Sequence, residues 1–275
     1  MTALGLAPAA RGPARPGGVP AWLVAPAFVG VAFLLLPLLA LVGRADWATV
    51  WGDVVSPATL EALWLSLWTA TLATLICAAL GIPLAITIAR ARPWVASTLR
   101  AVTTIPLILP PMVGGVALLY LFGRNGWLGQ GLDAVGIQLP FTSAAVVLAQ
   151  VFVSFPFLVL AVEGSVRGLD PELPLASADL GATSWQTLTR VTLPLAAPGL
   201  AAGLTLCFAR AVGEFGATAL FAGSSPGTTR TMPLAIYAAF NGAGVSQGTA
   251  IALALVLLVV AIAVLVLARA WRPAA

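Results

Sequence analysis

Lysine and histidine are absent from this 275-residue chain, and charged residues of every kind make up only 8% of it. Without histidine there is no imidazole for proton transfer, and the commonest metal ligand is missing. Without lysine the phosphate-binding loop G-x-x-x-x-G-K-[ST] cannot be completed. The scarcity of charge excludes an ordinary water-soluble domain, in which about 25% of residues are charged. Cysteine occurs only at Cys77 and Cys207, both inside apolar stretches, where each suits a small buried hydrophobe and neither a disulfide nor a metal site. No nucleophile and base cluster within the apolar segments, so no catalytic residue, metal site or bound cofactor is expected.

What fills the chain is apolar: 60% of its residues are hydrophobic, so lipid is the expected solvent around most of it. A span needs about 20 mostly apolar residues to cross about 30 Å of hydrocarbon. Six segments qualify, at residues 21–43, 60–88, 101–122, 142–163, 195–222 and 248–268. They predict an all-α integral membrane protein with six transmembrane helices over residues 21–268. Residues 1–20, rich in glycine, proline and arginine, are expected to be a disordered tail, and 269–275 a short C-terminal one. The first apolar run is too long for a signal-peptide core and no A-x-A site follows it, which predicts an anchor.

All 13 basic residues are arginines, against nine acidic residues. Arginines that bracket apolar spans report topology, so no nucleic-acid partner is expected. With the N-terminus inside, the cytoplasmic pieces hold Arg11, Arg15, Arg90, Arg92, Arg100, Arg167, Arg190, Arg269 and Arg272. Only Arg44, Arg124 and Arg230 fall outside, which predicts that both termini are cytoplasmic. Pro83 is expected to interrupt the second span, Pro156 the fourth, and Pro106, Pro110 and Pro111 with Gly114 and Gly115 the third. The third pattern suits dense helix packing or the border of a water-filled path.

The substantial cytoplasmic loop, GSVRGLDPELPLASADLGATSWQTLTRVTLPLAAPGL, predicts two short helices. Asp170 is expected to cap the first, with Pro171 at its first position and Glu172 complementing its dipole. Gly181 suits the left-handed residue that ends it. Thr183 or Ser184 is expected to cap a second helix with Leu188 and Val191 on one face, and Pro194 opens the fifth span.

The spacing from Gly181 to Val191-x-Leu193-Pro194 resembles the signature loop of ABC importer permeases. That pattern runs Glu-Ala-Ala, three residues, Gly, nine residues, Ile-x-Leu-Pro. Here Leu175, Ala176 and Ser177 stand at the first three positions and Ala182 follows the glycine, so the acidic residue is missing. The resemblance implies that segment 170–194 docks on a cytoplasmic ATPase, which would use ATP and Mg, while this chain itself is not an enzyme. It also implies the type I importer permease fold, a homodimer, an extracytoplasmic binding protein and a multi-pass place in the bacterial cell membrane. IPLILPPMVGGVALLYLFGRNG (105–126), AAVVLAQVFVSFPFLVLAVEG (144–164) and ARAVGEFGATALFAGSSPGTTRTMPLAIYAAF (209–240) look like the molybdate permease family. Molybdate is therefore the leading expected cargo, followed by tungstate and by sulfate or thiosulfate. A secondary ion-coupled anion carrier is the alternative from another class, but it would predict internal repeats and several intramembrane carboxylates.

Arg210 and Glu214 are one helical turn apart within the fifth span, where their side chains can meet. They fit either a self-neutralised packing pair or part of an anion path. Gly213 and Gly216 beside them, and Pro110 and Pro111 in the third span, are the further candidates for a path or gate. Glu214 is expected to be the sole acid deep in a span, and Gln150 an interhelical hydrogen-bond partner. The Ser-Pro-Gly turn and Arg230 within residues 223–233 suit a solvated connector, a docking surface for the binding protein or a re-entrant element.

Overall fold

The computed structural model describes residues 20–242 and 247–270, and among these it contains helices and no strand. The expected tails lie outside the described residues, apart from Pro20 and the last two residues of the final helix.

The first compact unit ends at Arg44. Its helix α1, Ala21–Arg44, is apolar until its terminal arginine and contains Pro26 and Pro37. At 1.5 Å per residue its 24 residues reach about 36 Å, enough to cross a bilayer.

The second unit begins at Ala45. It comprises α2 (Val50–Val54), α3 (Pro57–Arg90), α4 (Pro93–Ile108), α5 (Pro111–Phe122), α6 (Gly129–Ala134) and α7 (Ser143–Arg167). There follow α8 (Glu172–Asp179), α9 (Ser184–Thr187), a π turn (Leu188–Thr192), α10 (Leu193–Val212), α11 (Gly216–Phe221), α12 (Met232–Phe240) and α13 (Gln247–Ala270). Among the described residues five helices are long and apolar enough to cross a membrane, and α4 with α5 makes a sixth if that bent pair is one span.

Helix α7 is the centre of this unit, with α3 and α10 packed against it. On α3 the buried positions Ser66, Thr69, Ala70, Ala73, Cys77, Gly81, Ala85 and Ile88 recur every three or four residues. Such a stripe of small side chains lets two backbones approach, which replaces the hydrophobic drive that lipid cannot supply. Cys77 and Cys207 are both buried and unbridged, packed with Leu158, Val159 and Val162 of α7. Toward the other end, Val146, Ala149 and Val153 of α7 pack with Leu118, Ala217 and Phe221.

The prolines behave differently from one another. Pro83 and Pro156 were expected to interrupt their spans, yet both lie inside continuous helices. A single proline removes one hydrogen bond, which a helix packed against neighbours tolerates. Pro106 likewise lies inside α4. The tandem Pro110-Pro111 does break the chain, and α4 and α5 meet there at 109°. A proline disfavours helical backbone in the residue before it. Leu109 and Pro110 each precede one, and their ψ angles are extended, at 137° and 133°.

The expected fifth span at 195–222 is also corrected. The helix stops at Val212, and α11 resumes at Gly216 after a non-helical elbow. An apolar run cannot reveal such a break, because hydropathy is unchanged across it. The third span also starts earlier than its apolar run suggests, since α4 is initiated by Pro93 and carries Arg100 inside it.

Candidate functional site

The elbow owes its form to its two charged residues. Arg210 lies in the last turn of α10, where a cation complements the helix C-terminus. Glu214 accepts a hydrogen bond from the Ala217 amide (2.8 Å) at the start of α11. The Arg210 Nη2 to Glu214 Oε2 distance is 2.8 Å. Glu214 is 1% exposed, whereas the Arg210 side chain is 24% exposed and keeps a solvent-facing part. The carboxylate therefore both starts α11 and restrains the guanidinium.

The elbow meets the tandem-proline break. Seen from Gly216, a Cβ would come within 2.9 Å of Pro111 Cβ and 3.2 Å of the Met112 amide nitrogen. A Cβ on Gly115 would lie 2.7 Å from the Ala217 carbonyl oxygen. Absent side chains at these two points are what let α5 and α11 pack backbone to backbone. An open cleft of about 420 Å³ results, lined by Pro110, Pro111, Arg210, Gly213, Glu214 and Gly216 together with Met112 and Phe215. All six candidate path residues thus come together around one cavity. The partly exposed guanidinium, balanced by Glu214, faces walls that are otherwise mainly apolar, so the cleft can meet an anion with little net charge and few hydrogen bonds. Weak holding of that kind suits passage better than storage.

The segment 170–194 is a compact knob. Asp170 Oδ1 accepts from the Glu172 amide (2.9 Å), so the helix begins one residue later than expected, after Pro171. Gly181 adopts φ +82°, the left-handed turn that closes α8 and that a side chain would strain. Thr183 and Gln186 form a reciprocal capping box that opens α9. The second helix is shorter than expected, because Leu188 and Val191 fall in the π turn that leads into α10. The Ser177 and Thr187 hydroxyls lie 2.7 Å apart and tie α8 to that second element. Leu175, at the position of the missing acid, is exposed, and so are Trp185 and Leu180, the last at 89%. Ala176, Ala182, Val191, Leu193 and Pro194 complete the segment, with Leu193 and Pro194 starting α10.

One polar group differs from expectation. Neither side-chain polar atom of buried Gln150 has a hydrogen-bond partner, so it is not the interhelical bridge its position suggested. A second buried acid lies at a span end. Glu163, near the end of α7, is 3% exposed and pairs with Arg100 of α4 and Arg167 of its own helix. The i,i+4 spacing from Glu163 to Arg167 was a legible signal, but the partner on α4 was not. In the loop between α11 and α12 Arg230 folds back onto Ser224, donating from Nε to its hydroxyl (3.3 Å) and from Nη2 to its carbonyl (3.1 Å).

A chain of apolar helices with a short-helix knob and two broken helices around a cleft is the architecture of an importer permease. Residues 81–274 match the family described as the binding-protein-dependent transport system inner membrane component, and the chain belongs to that family. Within it, the chain is 47% identical to the molybdenum transport system permease protein ModB of Mycobacterium tuberculosis, over 81% of this chain and 84% of the relative. It is 40% identical to ModB of Escherichia coli K12, over 69% of this chain and 83% of the relative. A probable sulfate transport system permease of Chlorokybus atmophyticus is 33% identical over 74% of the chain and 72% of its own length. Among solved structures, the fold is shared with the MetNI methionine ABC transporter (TM-score 0.63, 20% identity, 78% of this chain and 97% of that one). It is shared also with a bacterial alginate ABC transporter in complex with its pentasaccharide-bound periplasmic protein (TM-score 0.67, 19% identity, 90% and 91%).

Proposed function

We propose that this chain is the permease subunit of an ATP-driven importer that carries molybdate across the bacterial cell membrane into the cytoplasm. The observation that carries the cargo is the 47% identity, over most of both chains, to a permease named for molybdenum transport. The cleft supports it physically, because an arginine balanced by Glu214 on a mainly apolar wall meets an oxyanion without a dense set of donors. Tungstate and sulfate are tetrahedral dianions of similar charge, and they are the competitors to rank.

In this reading two copies of the chain form the path about a two-fold axis, the common closed solution for one repeated subunit. Both termini are cytoplasmic, and α8 with α9 forms the knob that fits a cleft on a separate ATPase. That ATPase, and not this chain, uses ATP and Mg. The exposed Leu175, Leu180 and Trp185 supply an apolar docking face where the related signature has a glutamate. An extracytoplasmic binding protein delivers the anion. Closure of the ATPase pair turns the path outward, and hydrolysis resets it inward.

The test is uptake into proteoliposomes that hold the permease, its ATPase and its binding protein. ATP-dependent accumulation of labelled molybdate, displaced by tungstate more readily than by sulfate, is the expected result. Uptake driven by an ion gradient without the ATPase would overturn the importer reading, and a stronger preference for sulfate would overturn the cargo.

A further inference from the structure

Helix α10 leads directly from the knob to the Arg210 side of the cleft, whereas the Pro110–Pro111 side follows α4, and among the described residues one charged cluster joins α4 to the helices of the knob. Helix α7 runs through Arg167 and enters the knob within five residues. At its end it is packed almost backbone to backbone on the start of α10, the helix that leaves the knob. A Cβ on Gly199 of α10 would collide with Ser165, and one on Gly203 would lie 3.1 Å from the Ala161 Cβ. Ser165 Oγ also donates to the Ala196 carbonyl (3.3 Å). Both legs of the knob therefore move as one body.

Helix α4 is attached far more loosely. Only Ala96 and Thr103 of its 16 residues are buried, and Trp94, Val102, Ile105, Leu107 and Ile108 are exposed. Its directional attachment to α7 is ionic. Arg100 donates from Nε to both carboxylate oxygens of Glu163 (3.1 and 3.2 Å) and from Nη2 to Oε1. Arg167 Nε approaches the same Oε1 at 3.1 Å, which fixes the carboxylate from its own helix. A guanidinium held by several hydrogen bonds on a carboxylate has a set orientation as well as a set distance. From Arg100 the helix runs about 12 Å to Ile108, and Pro110 and Pro111, which line the cleft, follow at once.

We infer that Glu163 is a positioning residue whose ionic grip on Arg100 makes α4 follow α7, so that movement of the knob reaches the Pro110–Pro111 wall of the cleft. The inference rests on the importer reading. Glu163 touches no anion in this scheme. It keeps a sparsely packed helix in register with a tightly packed pair, and a rigid strut transmits displacement where a few dispersion contacts would slip.

The experiment measures ATP hydrolysis and labelled molybdate uptake in the same proteoliposomes of the full complex. Glu163→Gln keeps the shape but removes the charge, and Arg100→Gln removes the grip while leaving Glu163 paired with Arg167. Each variant is expected to assemble and to keep at least about half of the parental ATP hydrolysis. Each should lower the molybdate imported per ATP by between about threefold and thirtyfold. The double variant should be no worse than the poorer single one, because both remove the same link. Arg100→Lys should recover part of the ratio. An unchanged ratio in both single variants, or losses that simply add in the double variant, would overturn the strut. If Glu163→Gln does not assemble, Arg100→Gln decides by the same ratio. A parental complex that imports nothing with ATP would sink the importer reading and the strut together, whereas an active parent with an unchanged ratio sinks the strut alone.

Discussion

The knob at 170–194 is held by residues that are neighbours in sequence: Thr183 with Gln186, Asp170 with Glu172, and Ser177 with Thr187 ten positions on. The cleft is held by residues far apart, with Gly115 against Ala217 and Gly216 against Pro111 and Met112. The knob exposes its apolar side chains and hides little. The cleft hides a carboxylate and leaves only part of one guanidinium in view. In the proposed function the knob docks on a partner, which calls for a preformed surface that local hydrogen bonds suffice to shape. In the same proposal the cleft opens and closes between separate helices, so its contacts cross the fold.

That contrast can be broken by substitution, most severely at the cleft. Gly216→Leu forces a side chain into the backbone of α5, and overpacking costs about 1–3 kcal/mol. Loss of the monodisperse peak in detergent, or a clear fall in melting temperature, is the expected result, while the same change at exposed Gly131 should do nothing. Glu214→Gln comes next. It removes the charged partner of Arg210, an interaction worth about 1.5–3 kcal/mol where buried. Assembly should persist and molybdate uptake should fall at least about tenfold. A variant that instead fails to assemble assigns the pair to packing rather than to the path.

At the knob the effects should be smaller and confined to the partner. Leu180→Ser removes an apolar anchor and should weaken ATPase binding by about tenfold if Leu180 is a central contact. Its melting temperature as an isolated permease should not change. Gly181→Ala strains a left-handed residue by about 1–2 kcal/mol, so a several-fold loss of ATPase affinity is expected. Thr183→Ala, which opens the capping box, costs about 1 kcal/mol and should give the mildest loss. Pull-down or fluorescence titration with the purified ATPase reads all three. A large drop in melting temperature for any of them would show that the knob is part of the core after all.

The same division explains what was legible in advance. Gly181 was placed correctly, and the cap was narrowed to Thr183 or Ser184, because a left-handed terminator and a helix cap are chosen by local backbone chemistry. The second element was misjudged at Leu188 and Val191, since a π turn differs from an α turn only in which carbonyl each amide selects, and side-chain type barely biases that choice. Pro83 and Pro156 were weighted as breaks, but packing against α7 and α3 overrode a single missing hydrogen bond. The elbow after Val212 was invisible for a different reason, as an apolar run looks the same straight or bent. Glu163 was missed because it lies at a predicted span end, where a charge is ordinary, and its decisive partner lies 63 positions away on α4.

Sequence alone determined that lipid surrounds this chain, since a protein with 8% charged residues cannot solvate its surface in water. It also determined that Arg210 and Glu214 can pair, because one helical turn places them side by side. Tertiary structure alone decided that this pair faces the Pro110–Pro111 break across a cleft, and that Arg100 grips Glu163. Those two facts depend on which helices lie next to each other. Every apolar face is equally content against lipid, so hydrophobicity does not choose the neighbour. Small residues at Gly115, Gly199, Gly203 and Gly216 and the geometry of close packing make that choice.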